Sequence, residues 1–61
     1  MPDFVTTFIR VDGQPNEEYW YSSASEAKAH LDMFRDDDSG LYRRIEVTQY
    51  STGATLYSMD F

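Results

Sequence analysis

The chain is 61 residues long, with eleven acidic and five basic side chains, a formal net charge of −6, one histidine and no cysteine. That length holds one small α+β domain, residues 1–61, and leaves no room for a second. The missing cysteines exclude disulfides and thiolate metal sites, and the negative charge disfavours direct contact with nucleic-acid phosphates or an anionic membrane.

Other broad classes fall away as quickly. No apolar stretch approaches the roughly 20 residues that cross a bilayer, and Met1-Pro2-Asp3 lacks the basic start of a secretion signal. A cytoplasmic location is therefore expected. The aromatic content of 16%, with one Trp, five Tyr and four Phe, argues against a disordered chain. A domain this short buries only about 60% of the surface its unfolded chain exposes. Without disulfide staples, self-association is a natural route to extra stability.

The first strand-like run is Phe4 to Val11, rich in aromatic and β-branched residues and stopped by Asp12-Gly13. Pro15 and Asn16 prolong the break, and Glu18 to Tyr21 resumes with three aromatics, so the two runs read as an antiparallel hairpin. A helix follows at about Ser23 to Arg35. Ser23 with Glu26 three residues on fits a capping box. Ala24, Ala27, Leu31 and Phe34 share one face, with His30 at its border. Asp36, Asp37 and Asp38 sit at the negative end of the helix dipole, where they oppose its continuation, and Gly40 allows the chain to turn away.

Leu41 to Tyr50 and Thr55 to Phe61 make a second hairpin. In the first of these runs Leu41, Ile45 and Val47 alternate with polar residues; in the second, Tyr57, Met59 and Phe61 do so. A two-residue Thr52-Gly53 turn would oppose Val47 to Ser58 and split the apolar sets. An odd-length loop, setting Val47 opposite Met59 and Ile45 opposite Phe61, keeps them on one face. The expected architecture is β-β-α-β-β: a four-stranded, mostly antiparallel sheet with one helix packed on one face. One helix covers one face, so Tyr42, Tyr50, Leu56 and either Phe4 with Phe8 or Val5 with Ile9 should point away from it. The apolar patch so exposed is where a partner would sit.

The sites that chemistry would need do not assemble. Placing Gly40 sixth in a calcium loop puts Asp37 third, Ser39 fifth and Glu46 twelfth, but the leading ligand is then the cation Arg35. A lone His30 cannot hold zinc or iron and reads as a packing residue. The acidic pairs have no deep cleft in which one carboxyl could be kept protonated. Sheet aromatics resemble RNA-stacking platforms, yet Arg43-Arg44 is the only adjacent basic pair. No catalytic residue, cofactor site or metal site is expected, and the protein is read as a non-enzyme.

The expected function is a small protein–protein interaction module, with homodimerisation through a sheet face or edge as one form of it. Tyr42 and Tyr50 are the expected anchors. The alternative assigns the work to Glu17, Glu18, Asp32, Asp36, Asp37 and Asp38, as an acidic surface that mimics nucleic acid and inhibits a nucleic-acid-binding protein. In size and charge alone the chain is similar to small phage inhibitors of host defence nucleases.

Overall fold

The computed structural model describes residues 2–61. Its elements are β1 (Phe4–Arg10), β2 (Glu17–Tyr21), α1 (Ala24–Asp32), β3 (Tyr42–Gln49) and β4 (Ala54–Asp60). All neighbouring strands are antiparallel, in the order β2-β1-β3-β4, and the helix packs on one face. This is the expected α+β architecture. The order also resolves how the two hairpins join: β1 and β3 pair directly and leave β2 and β4 at the edges.

The helix begins at its expected N-cap, with the Glu26 amide donating to Ser23 Oγ at 3.3 Å, the one of the capping box's two hydrogen bonds that forms. Its regular part ends at Asp32, earlier than expected. Beyond Met33 the chain continues in tighter turns, with Phe34 N–H bonded to Leu31 O and Arg35 N–H to Asp32 O. Phe34 still packs against the core from this coiled tail. Gly40, at φ +75°, turns the chain toward β3.

Phe8, Ala27, Leu31, Ile45 and Val47 form the buried core, flanked by Phe4, Tyr21, Phe34, Tyr42 and Met59. Phe8 and Phe4 thus face the helix, while Val5 and Ile9 take the other side by strand alternation. Thr6, fully buried, donates its hydroxyl to the Ala27 carbonyl at 2.9 Å and ties the middle of the helix to β1.

Two irregularities revise the expected register. In the second hairpin Ile45 opposes Met59 and Val47 opposes Tyr57, two residues from the expected pairing but with the same apolar faces matched. The loop between Gln49 and Ala54 has an even length, which alone would have split the faces. An extra residue in β4, Leu56, shifts the pairing between Val47 and Thr48 and restores them, so the parity lies in a bulge rather than in the loop. A second bulge falls on β3, where Ile9 opposes Arg44 but Arg10 opposes Tyr42, leaving Arg43 unmatched against β1. It turns Tyr42 toward the helix, against the expected outward direction, and leaves Leu41 exposed outside the strand.

Phe8 sets the sharpest expectation. It is 1% exposed, and its ring meets those of Tyr19, His30, Phe34 and Tyr42 at 4.8–5.5 Å. Phe8→Ala should cost about 3–5 kcal/mol, against a total of about 3–9 kcal/mol for a domain of this size. Urea denaturation should find Phe8→Ala largely unfolded at room temperature, and Thr6→Val weakened by about 1 kcal/mol.

Candidate functional site

The helix-side face closes around Glu17. Tyr42 and Tyr19 donate to its Oε1 at 3.1 and 3.2 Å, and Arg10 reaches Oε2 at 2.9 Å. Arg10 also grips Asp12 with Nε and Nη2. The Arg10 hydrogen bond, supported by the two tyrosines, holds the Glu17 carboxyl below its ordinary value despite desolvation. The same cation holds Asp12 at about 2. Next to this cluster, His30 Nδ1 lies 2.7 Å from the Tyr21 hydroxyl, ringed by Phe8, Tyr19 and Phe34, and burial lowers its pKa. These groups satisfy one another. The cluster is a polar seam between helix and sheet, and both Tyr42 and Glu17 are committed to it.

The other face of the sheet has no helix above it. Here Val5 pairs with Trp20 on one side and Thr48 on the other. Trp20 on β2 and Tyr50 at the end of β3 reach across the intervening β1 and meet edge-on at 5.4 Å. Beneath this bridge Val5 is only 6% exposed, although it is not part of the helix-side core. Trp20 and Tyr50 themselves remain 43% and 71% exposed. Tyr50 is anchored from below: its amide donates to Asp3 O at 2.7 Å, while the Asp3 carboxylate accepts from Ser51 N–H and Oγ and from Gln49 Nε2. Trp20 takes the place that sequence reading assigned to Tyr42. The signal that could have found it was its alternation in register with Val5, which needed the β1–β2 pairing to be known.

The carboxylates expected to front an acidic surface are dispersed. Glu17 is in the seam, Asp32 is held by Lys28 and Arg35, and Glu18 lies in register with Thr7 on the uncovered face. Asp36, Asp37 and Asp38 lie in the helix-to-strand loop, where Asp37 accepts from Ser39 Oγ at 2.7 Å. Glu46, the twelfth position of the imagined calcium loop, is on β3 and bonded to Arg44. Among the described residues no three His, Cys, Asp or Glu side chains converge as metal ligands, and no ligand-sized cavity is present.

A second exposed surface is the edge strand β4. Leu56, Tyr57 and the adjacent Phe61 are all exposed, and Lys28 sits 5.5 Å above the Tyr57 ring. No protein-family model, curated protein or solved structure matches the chain.

The seam makes stability depend on pH in two windows. His30 is depressed below 6.5 by burial, so the unfolded chain takes up its proton first; that stability is full above about pH 6.5 and is lost as pH falls below it. Glu17 and Asp12 are depressed from 4.5 and 3.8, so their contribution is present above those values and is lost on further acidification, in Asp12 down to about 2. Calorimetry from about pH 8 to about pH 3 should show the melting temperature falling in both windows. His30→Phe should flatten the upper window alone; parallel curves for the two proteins would contradict this assignment.

Proposed function

We propose that the protein is a small non-catalytic interaction module of the cytoplasm that receives a partner protein on the uncovered sheet face, with Trp20 and Tyr50 as anchors. The carrying observation is the exposed aromatic bridge over Val5 on the face that no helix covers. Large rings of this kind supply much of the energy of protein interfaces because they bury wide surface with few torsions to freeze. Here the two rings are already seated, by each other and by the Asp3 hydrogen bonds beneath Tyr50, so little further ordering is needed on binding. Glu18 on the same face, in a chain of net charge −6, favours a partner with a basic rim around an apolar centre and disfavours a nucleic acid.

Photocrosslinking in cells tests this. A benzophenone side chain at Thr48, beside the bridge, should give a discrete heavier adduct, and one at the helix-side residue Met33 should not. Trp20→Ala with Tyr50→Ala should abolish the Thr48 adduct, and the adduct should survive about 0.5 M salt, where charge steering is screened within a few ångströms. An adduct that vanishes with salt and with neutralisation of Asp36, Asp37 and Asp38, but survives loss of the two rings, would transfer the role to an acidic nucleic-acid mimic.

A further inference from the structure

We infer that β4 pairs with β4 of a second copy, antiparallel about a two-fold axis at Ser58, joining two four-stranded sheets into one of eight strands. This names one partner for the interaction reading, at a surface separate from the Trp20–Tyr50 bridge, so the two fail independently.

The backbone sets which groups are free. Phe61 N–H bonds to Arg43 O on β3, and the register runs on through Met59 with Ile45 and Tyr57 with Val47. By strand alternation Tyr57, Met59 and Phe61 turn their peptide groups toward β3, while Ser58 and Asp60 turn theirs outward. In a single copy water satisfies this row, and a second strand can replace that water with a ladder. The two edges are not equally open to one. β2 has two carboxylates in five residues, Glu17 and Glu18, a common defence of an edge. In β4 no charge occurs from Ala54 to Met59 and there is no proline; Asp60 alone is charged, and Arg44 binds it at 2.8 Å.

Charge and the bulge then select the register. A two-fold axis at Met59 would bring the two Asp60 residues within about 7 Å along the strand, inside the screening length of about 8 Å. An axis at Tyr57 would set the Leu56 bulge directly beside the axis, whereas an axis at Ser58 moves it to the ends of the pairing, opposite Asp60. An axis at Ser58 separates the Asp60 residues by about 14 Å and opposes each Tyr57 to the partner's Met59, an aromatic–thioether pair made twice on the helix side. A standard interface takes about 800 Å² from each partner, about a fifth of this chain's 3981 Å². One strand edge supplies less, so a dissociation constant on the order of 10 μM is expected.

Sedimentation of the purified protein from about 1 to about 500 μM brackets that value. The 7.1 kDa chain should approach twice its mass at the upper end, and more readily at high salt, because the copies repel at −6 each. Ser58→Pro removes an N–H that β3 does not use, and Ser58→Lys sets like charges opposite each other at the axis. Both should weaken dimerisation at least about tenfold with an unchanged circular dichroism spectrum, and Trp20→Ala should leave it intact. A chain monomeric throughout, a dimer indifferent to both Ser58 variants, or one lost on Trp20→Ala alone would overturn the inference.

Discussion

A nine-residue helix is about 14 Å long, and four strands side by side span about 14–19 Å. One such rod can shield one face of the sheet and nothing else, and the rest of the molecule follows from that mismatch. The shielded side is saturated: Phe8 is surrounded by four rings, Thr6 fastens the helix backbone, and Glu17 gathers two tyrosine hydroxyls and a guanidinium at the margin. The unshielded side has to be built from what the strands themselves bring. Its solution is local, two rings closing over a valine, and it leaves their outer surfaces to solvent.

The cations show the same economy. Arg10 serves Asp12 and Glu17, Lys28 and Arg35 share Asp32, and Arg44 lies between Glu46 and Asp60. Pairs this exposed stabilise little, typically below about 1 kcal/mol each. Their effect is rather on where negative charge remains: among the described residues the side-chain carboxylates without an ion pair are Asp3, Glu18, Glu26, Asp36, Asp37 and Asp38, none of them on β4. Of the two edge strands, β4 is the one with fewer charges.

Much of the fold was legible because it was written in local chemistry. Ser23 and Glu26 announced the helix start, Gly13 and Gly53 the hairpin turns, and alternation in the last two strands announced which apolar residues must share a face. The misread parts depended on partners distant in sequence. A bulge has almost no signature of its own, so Arg43 and Leu56 passed as ordinary strand residues, and with them went the direction of Tyr42 and the exact pairing of Ile45 and Val47. Trp20 and Tyr50 are thirty positions apart on strands that do not touch each other. Their meeting could be read only once β1 was known to lie between them. The aromatic surface was anticipated as a consequence of having one helix, but its location required the strand order.

That order also governs how the chain can assemble. The earliest strand occupies an interior position in the finished layer and is flanked on one side by residues more than thirty positions downstream. The opening hairpin, however readily it forms, therefore stays unpaired along β1 until Tyr42–Gln49 arrives, and pairing over such a separation is slow compared with closing a hairpin. During that interval Phe4, Phe8 and Tyr21 lack the Ile45 and Val47 side of the core. A copy in which β3 has come away thus opens a border along β1, whereas the folded one keeps its open borders along β2 and β4.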